Sequence, residues 1–275
     1  MTQLPDNGKL DYDELLNRIS SLEPSPSFLP DWPETMRAIP NEIIRSALFN
    51  ARNRKKPRMY LKDVDIVVIG DGQITYRGEE LRQDDELVWI HLLHLAKKRQ
   101  LGECIEFTPY SFVKEIGWPI SGQSYVRLRT CLSRMQATAI NLVSNRLGIG
   151  ISVSLIHEFK WAEENSRILK KWQVWISPKM QSLFSDRCYT MLDWEKHKNL
   201  PRGVASRLHG YWASHREPYP IKVESLKKLC GLEIKDKHFK EILVEALRLL
   251  ESIGFLKGWN FEKNGSEEKL VIQRQ

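Results

Sequence analysis

The sequence predicts an α+β protein made of two tandem winged-helix (winged helix-turn-helix) domains behind a short flexible N-terminal segment. Three observations carry this prediction. Residues 107–117 and 221–231 repeat one pattern of a short strand, a helix and a terminating glycine. A longer amphipathic helix follows each copy, and two strands follow each long helix. This order is that of a winged helix-turn-helix, and it occurs twice.

The N-terminal segment lacks the pattern of a folded element. Its run Glu23-Pro24-Ser25-Pro26-Ser27 resists both helix and sheet, because proline restricts its own backbone and that of the preceding residue. We therefore divide the chain into a flexible segment (residues 1–33), a first winged-helix domain (residues 34–177) and a second winged-helix domain (residues 178–275).

The first domain is expected to open with a helix from Pro40 to Ala51, which has apolar residues on one face. The basic run Asn53-Arg54-Lys55-Lys56-Pro57-Arg58 follows, and we interpret it as a solvated loop rather than as a direct phosphate clamp. β-Branched residues on both sides of Gly70-Asp71-Gly72 then predict a β-hairpin.

The first repeat copy lies between a predicted helix from Glu86 to Lys98 and a long helix from Ser124 to Ala139. Val126, Leu128, Leu132 and Met135 are expected to face inward on the long helix. Gly117 suits the C-terminal cap of the short helix in this copy. The wing strands are predicted over Ile149–Trp161 and Arg167–Ile176.

The second repeat copy has the same arrangement. A helix from Gly203 to His215 precedes it, and Gly231 stands at the position of the cap. The long helix is predicted from Asp236 to Ser252, with Phe239, Leu243, Leu247 and Leu250 expected to face inward. Strands are predicted to follow over Phe255–Glu262 and Lys269–Gln273.

Composition limits the classes of function. The chain has 275 residues, of which 41% are hydrophobic and 28% charged, as expected of a globular protein. It has no run of 18 apolar residues and no apolar signal peptide, so a membrane span is excluded and a cytoplasmic location is expected. The net charge of +7 favours a polyanionic partner.

The four cysteines do not form a recognisable metal or disulfide pattern. Cys104, Cys131, Cys188 and Cys230 are widely spaced and lie in apolar surroundings. Buried free thiols are therefore expected.

Candidate DNA-binding residues concentrate around the second long helix. In a helix-turn-helix the second helix of the motif, here the long one, enters the major groove with its N-terminal end at the base edges. We assign to this surface the basic residues of that helix start, of the supporting helix and of the wing, namely Lys235, Lys237, His238, Lys240, Lys227, Lys228, Lys257 and Lys263. The alternative is an ordinary solvated surface, and their coincidence with the predicted recognition helix favours DNA contact.

The first long helix offers Ser124, Arg127 and Arg134 in the matching region. They suit DNA contact, but the same surface would equally suit another protein. Two winged domains on one face of a duplex would read adjacent major-groove turns, which is on the order of 20 base pairs.

No catalytic constellation is evident. A phosphate-binding loop of the Gly-x-x-x-x-Gly-Lys-Ser/Thr type is absent, so neither an enzymatic activity nor a cofactor is expected. Asp84-Asp85-Glu86 is read as charge complementing a helix dipole rather than as a nuclease cluster. His91 and His94 are read as core or surface residues rather than as metal ligands.

Four runs of residues resemble the TrfA family of plasmid replication initiators. They are residues 31–41 continuing to Arg45–Phe49, Asp84–Trp89, Cys131–Ala139 and Ser214–Pro220. The resemblance extends in order from about residue 31 to the C-terminus. It implies a protein that binds direct repeats (iterons) at a plasmid origin as a monomer and is inactive as a dimer.

The resemblance further implies opening of an adjacent AT-rich segment, capture of single-stranded origin DNA, and recruitment of the host initiator, the replicative helicase and the sliding clamp. The family's glutamine-containing clamp motif is missing, since Pro24–Leu29 stands in its place. Gln181-Ser182-Leu183-Phe184 is similar, but Leu183 and Phe184 are expected in the core. The alternative functions are a winged-helix transcriptional repressor of plasmid genes and, less favoured, an origin-nicking enzyme.

Overall fold

The computed structural model describes residues 28–70, 72–145, 148–162, 168–265 and 267–275. Its strands are β1 (Met36–Pro40), β2 (Tyr60–Ile66), β3 (Gln73–Glu79), β4 (Ile105–Phe107), β5 (Ala139–Ser144), β6 (Ile149–Val153), β7 (Glu158–Ala162), β8 (Ile168–Trp175), β9 (Tyr189–Asp193), β10 (Ile221–Lys222), β11 (Leu256–Asn264) and β12 (Glu267–Arg274). Its α-helices are α1 (Asn41–Ile44), α2 (Gln83–Ala96), α3 (Pro109–Glu115), α4 (Gly122–Gln136), α5 (Trp194–Asn199), α6 (Val204–Ala213), α7 (Val223–Leu229) and α8 (Asp236–Ser252).

The first half of the chain has the winged-helix order that the sequence predicts. α2 is followed by β4, α3 and α4, and the wing is the antiparallel hairpin β7–β8. β4 pairs with β8, which gives a three-stranded sheet in the order β4-β8-β7. Leu128, Leu132 and Met135 bury the inner face of α4, whereas Val126 is 56% exposed. The prediction for Val126 was wrong because it lies about 200° around the helix from Leu128.

A second sheet interrupts this first unit. The hairpin predicted around residues 70–72 is confirmed as β2–β3, and β5 and β6 extend it in the order β2-β3-β5-β6. The single wing strand predicted over Ile149–Trp161 was wrong. Residues 149–153 pair with β5 as β6, and the chain leaves that sheet before it enters the wing at β7. The long helix accordingly ends at Gln136, because β5 begins at Ala139.

The second half repeats the winged-helix order without an insertion. α6, β10, α7 and α8 follow in sequence, and the wing is the hairpin β11–β12 in a sheet of order β10-β12-β11. The inward residues predicted for α8 are all buried, namely Phe239, Leu243, Leu247 and Leu250. No helix among the described residues is long and apolar enough to cross a lipid bilayer.

Both predicted glycine caps are confirmed. Gly117 follows the end of α3 with φ +72°, and Gly231 follows the end of α7 with φ +64°. Glycine is favoured there because a side chain is strained in this left-handed region. The two positions differ in their surroundings, since Gly231 lies directly against Asn50 of the first unit, whereas a Cβ added at Gly117 would have no described residue beyond its chain neighbours within 4 Å.

The apolar core changes from one unit to the other between Trp194 and Leu200. Residues 178–194 therefore pack with the first core, although the sequence assigned them to the second domain. Strand β9 pairs antiparallel with β1, which ties this segment to the start of the first unit. A division at residues 177 and 178 into independently folding domains remains a prediction, and this packing favours a later division.

The core also begins earlier than residue 34. Residues 1–27 of the expected flexible segment lie outside the described residues. Leu29 and Trp32 are buried, and Trp32 donates from Nε1 to Nδ1 of His94 over 3.1 Å. Trp32 also stacks on Phe184 at 6.1 Å between ring centroids. Residues 28–33 are thus held by the first core rather than flexible.

Leu183 and Phe184 are buried, as expected from the sequence, in the 3-10 turns over Pro178–Arg187.

The predicted helix from Pro40 to Ala51 reduces to the single turn of α1. Its later residues bond to distant parts of the chain instead, since the backbone N–H of Ala47 donates to the carbonyl of Val67 over 2.7 Å.

Cys131 and Cys230 are buried, whereas Cys104 and Cys188 are partly exposed, so the expectation of buried thiols held for two of the four.

The two units are joined by a buried arginine. Arg207 of α6 is 1% exposed and donates from Nη2 to the carbonyl of Ile44 over 2.6 Å. Its Nη1 lies 3.8 Å from the Glu86 carboxylate of α2, which is equally buried. The backbone N–H of Ala51 also donates to the carbonyl of Cys230 over 2.8 Å. These contacts fix one winged unit against the other.

Candidate nucleic-acid interface

The N-terminal end of α8 presents positive charge to solvent. Lys235 precedes the first residue of the helix, and Lys237 and His238 lie in its first turn, all three exposed. Cations at this end oppose the helix dipole and weaken the helix. Helix stability therefore does not explain this charge, whereas an anionic ligand at the helix end would.

Three lysines of this surface are already paired within the protein. Nζ of Lys240 lies 2.6 Å from the Glu268 carboxylate on β12 and 4.6 Å from the ring centroid of Phe261. Lys227 on α7 pairs with Asp236 at the start of α8. Lys228 pairs with Glu224, 2.7 Å away on the same helix. The pairs of Lys227 and Lys240 orient α8 against α7 and the wing.

The wing separates the two remaining candidates of the second unit. Lys263 is exposed near the tip of β11, and Lys257 is exposed at its base. Their positions are six residues apart along the extended strand, which corresponds to roughly 20 Å. Lys257 follows closely on the C-terminal end of α8, so the structure does not bring it together with Lys235 and Lys237.

In the first unit the candidate arginines are bound within the protein, unlike Lys235 and Lys237. Arg134 is 8% exposed, its Nη1 binds the buried carboxylate of Asp85, and its Nε lies 3.2 Å from Glu79. The Asp85 carboxylate also accepts from Nη1 of Arg58 over 2.7 Å. The sequence assigned Arg134 to DNA contact, and we withdraw that assignment because its guanidinium is buried and neutralised.

Ser124 and Arg127 also make contacts within the protein. Ser124 is 8% exposed and its backbone N–H donates to Oγ of Ser121, which caps α4. The Arg127 guanidinium lies 3.7 Å from the ring centroid of Trp118 and 3.5 Å from the Asp84 carboxylate. Ser121 is therefore the capping residue and Ser124 donates to it, whereas Arg127 remains partly exposed.

The acidic residues at the start of α2 are structural. Asp85 accepts the backbone N–H of Arg82 over 2.8 Å, which agrees with the reading that it complements the helix end. Burial and the neighbouring Asp84 carboxylate raise the pKa of Asp85, although Arg58 and Arg134 oppose this. Burial alone would raise the pKa of Asp84, but Arg58 and Arg127 hold it below its ordinary value.

The histidines of α2 also have structural contacts. His91 is buried against Phe112 at 4.6 Å between ring centroids, and His94 lies 2.9 Å from the Glu34 carboxylate. Burial lowers the pKa of His94 to about 4. Across the described part of the chain, no group of three or more metal-binding side chains is assembled.

The outer face of α4 carries little charge. Val126, Thr130, Ser133 and Ala137 are exposed along it at helical spacing. This face was not predicted from the sequence, because the candidates on this helix were chosen for their charge or polarity. Its signal in the sequence is the strip of small side chains at intervals of three and four residues. Such a strip lets a helix approach a partner closely.

A cleft of about 930 Å³ separates the two units on the side of the helix starts. Arg127 lines it from α4, His238 lines it from α8, and the run Arg52–Pro57 forms part of its wall. A ligand seated here would contact both winged-helix units.

Comparison with known proteins identifies relatives of this chain. A family model described as TrfA protein matches residues 16–263. The plasmid replication initiator protein TrfA of Escherichia coli is 42% identical over 229 residues, which cover 82% of this chain and 59% of that protein. The chain thus aligns with less than two thirds of this relative's length.

Two solved structures share the fold at low identity. Domains 2 and 3 of RctB superpose with a TM-score of 0.57 and 15% identity, covering 85% of this chain and 96% of that one. The Pi initiator protein, solved in complex with iteron DNA, superposes with a TM-score of 0.55 and 11% identity, covering 89% and 99%. These likenesses concern the fold alone.

Proposed function

Since this chain belongs to the TrfA protein family, we propose that it is a plasmid replication initiator that binds iteron repeats at a plasmid origin. The observation that carries the proposal is the exposed, unneutralised positive charge at the N-terminal end of α8. Lys235 and Lys237 have no ion-pair partner among the described residues. In a winged helix-turn-helix this end faces the base edges and the flanking phosphates.

The two units would act on one duplex. The buried contacts of Arg207 hold them together, so α4 and α8 would enter successive major-groove turns of about 20 base pairs in all. In this arrangement α8 would supply the charged contacts and α4 an uncharged face. The Pi initiator, which shares this fold, is known with iteron DNA, and that supports the choice of ligand.

Origin opening would proceed without catalysis. We propose that the protein is a non-enzymatic DNA-binding protein, and that binding free energy and DNA deformation melt the AT-rich segment beside the repeats. Recruitment of the host initiator, the helicase and the sliding clamp, together with an inactive dimer, belongs to the same proposal and rests on the family alone.

Capture of a single strand would suit a groove beside α4. The groove has a volume of about 620 Å³ and is lined by Tyr60, Phe159 and Trp161. Tyr60 is 70% exposed, and the Arg129 guanidinium lies 4.3 Å from the ring centroid of Trp161. Exposed aromatic rings beside a cation are the usual platform for stacking unpaired bases.

A pair of tyrosines tests this groove. Tyr60→Ala is expected to weaken binding of an oligothymidine roughly tenfold, since a base stack is worth about 1–3 kcal/mol. Tyr110, which is 51% exposed on α3, provides the matched control because it lies outside the groove. Equal affinities of the two variants would exclude Tyr60 as a stacking residue.

The experiment that tests the main proposal is footprinting on the protein's own plasmid origin, combined with permanganate probing. Protection of several direct repeats with reactive thymines in an adjacent AT-rich stretch is the expected result. Protection of one inverted repeat at a promoter without reactive thymines would indicate a repressor instead. Metal-dependent cleavage of the supercoiled plasmid would indicate a nicking enzyme.

A further inference from the structure

The basic residues between α1 and β2 differ in their contacts. The side chains of Arg52 and Arg58, at the two ends, bond to the rest of the protein, and those between them do not. Arg52 donates from Nε to the carbonyl of Gly231 over 2.7 Å, and Arg58 donates from Nη2 to Asp84 over 2.8 Å. Arg54, Lys55 and Lys56 between them are exposed. Among the described residues, no hydrogen bond or ion pair engages these three side chains. These three side chains therefore contribute no polar contact to the stability of the loop.

The backbone beneath these cations is held rigidly. Arg82 is 2% exposed and donates from Nη1 to the carbonyls of Asn53 over 2.7 Å and Lys56 over 2.9 Å. Its Nη2 donates to the carbonyl of Pro57 over 2.9 Å and to the Glu80 carboxylate over 2.6 Å. A buried arginine thus closes the turn from within and leaves the three basic side chains outside.

The turn itself has a defined local conformation. The side-chain oxygen of Asn53 accepts the backbone N–H of Lys55 over 2.9 Å, and the backbone N–H of Lys56 donates to the carbonyl of Asn53 over 3.1 Å. Asparagine commonly stabilises turns in this way. Ordering these residues in advance reduces the entropy that binding a ligand would otherwise cost.

The turn lies between the two candidate reading helices. It forms one wall of the cleft that Arg127 of α4 and His238 of α8 also line. Burial and the nearby Arg54 both lower the pKa of Arg127, although Asp84 opposes them. Cations are therefore close enough to repel each other here, and an anionic ligand would relieve this repulsion.

We propose that Arg54, Lys55 and Lys56 form a phosphate clamp that grips the DNA backbone between the two major-groove segments read by α4 and α8. This inference rests on the proposed function, because it requires duplex DNA along both units. It replaces our interpretation of the run as a solvated loop. The clamp supplies the first unit with the positive charge that the outer face of α4 lacks.

The clamp has a measurable signature. Each phosphate neutralised by a cation contributes about 0.9 to the slope of log K against log salt concentration. Replacing all three residues by glutamine is expected to lower that slope by roughly 2 to 3 and to weaken binding roughly 10- to 100-fold near physiological salt. The loss is expected to be equal for repeat and unrelated duplexes, because phosphates carry no sequence information.

The experiment measures binding of the full chain to a duplex of two tandem repeats and to an unrelated duplex over a salt titration. The test variant carries Arg54→Gln, Lys55→Gln and Lys56→Gln. The control variant carries Arg99→Gln, Lys179→Gln and Arg187→Gln, which remove the same charge from exposed sites outside the cleft. Thermal unfolding of both checks that the fold is intact.

A reduced slope in the test variant alone supports the clamp. An unchanged slope and affinity in the test variant, or equal losses in the test and control variants, overturn it. If Lys235→Ala with Lys237→Ala still weakens binding in that case, the proposed function stands without the clamp. If the unmodified protein does not prefer tandem repeats over the unrelated duplex, the proposed function fails and the clamp with it.

Discussion

The helices α4 and α8 occupy equivalent places in the two winged-helix units, yet they use positive charge in opposite ways. Arg134 of α4 is buried against Asp85, whereas Lys235 and Lys237 at the start of α8 face solvent. The outer face of α4 is small and nearly uncharged. A duplicated motif thus preserves its topology while Arg134 of one copy is buried in an ion pair and Lys235 and Lys237 of the other copy are exposed to solvent.

The largest effect is expected where a cation is buried. Arg134→Met should destabilise the protein by about 3–5 kcal/mol, because removal of one partner leaves the buried Asp85 carboxylate undercompensated. Urea unfolding at pH 7 measures this change. Lys237→Met on α8 should alter stability by less than about 0.5 kcal/mol, since it is an exposed side chain. An Arg134→Met protein of unchanged stability that has lost DNA affinity would break the comparison.

The second effect is a loss of stability at low pH, which is expected from buried histidines in both units. Burial lowers the pKa of His209 on α6 to about 4, as it does for His94 on α2. The unfolded chain, with a histidine pKa near 6.5, therefore takes up a proton first as the pH falls. The free energy of unfolding is therefore expected to be highest above pH 6.5. His209 alone should lower it by about 3 kcal/mol as the pH falls from 6.5 to 4.

Chemical unfolding as a function of pH tests this expectation. His209→Gln cannot be protonated, so its stability should fall less than that of the parent over this range. Parallel pH profiles of the two proteins would show that His209 does not contribute. A smaller loss in His209→Gln than in the parent would show that both units hold neutral buried histidines in their cores, so that they differ in charge only on their outer surfaces.

The parts of the fold that the sequence predicts well are those with local causes. α8, its inward residues and the caps at Gly117 and Gly231 follow from apolar spacing and from the freedom of glycine. The early burial of Trp32 was missed, because its partner His94 lies 62 residues further on. The strand β6 was assigned to the wing because an apolar run does not reveal which sheet it joins.

The candidate site was predictable to the same extent. The exposed start of α8 follows from the position of a helix within a known motif. The burial of Arg134 depends on Asp85, 49 residues away, and no local pattern reports such a pair. The basic turn was visible in the sequence, but its rigidity comes from Arg82, whose role appears only once the chain has folded.

A smaller effect separates the two glycine caps. A Cβ added at Gly231 would lie 2.6 Å from Cβ of Asn50, whereas one added at Gly117 would meet nothing within 4 Å. Gly117→Ala should therefore cost about 1 kcal/mol for its left-handed backbone alone. Gly231→Ala should cost roughly 2 kcal/mol more, because a contact tighter than van der Waals distance must be relieved.

Denaturant unfolding of the two alanine variants measures the difference. Equal losses would mean that the junction of the two units yields without cost. The contact of Gly231 with Asn50 would then not help to hold α4 and α8 in register, and the proposal that they enter two successive major-groove turns would lose support.

The smallest effect is expected for DNA binding when the exposed lysines at the start of α8 are removed. Lys235→Ala with Lys237→Ala should weaken binding to tandem repeats roughly tenfold and lower the salt slope by about 2, because each lysine neutralises about one phosphate. The matched control is Arg248→Ala with Lys257→Ala, two exposed cations at the far end of α8 and the base of the wing. The control should bind within about twofold of the parent, since neither residue lies at the start of α8, where this helix is expected to contact DNA. If the control loses as much affinity as the test pair, binding follows total charge rather than position, and the assignment of α8 as the reading helix fails.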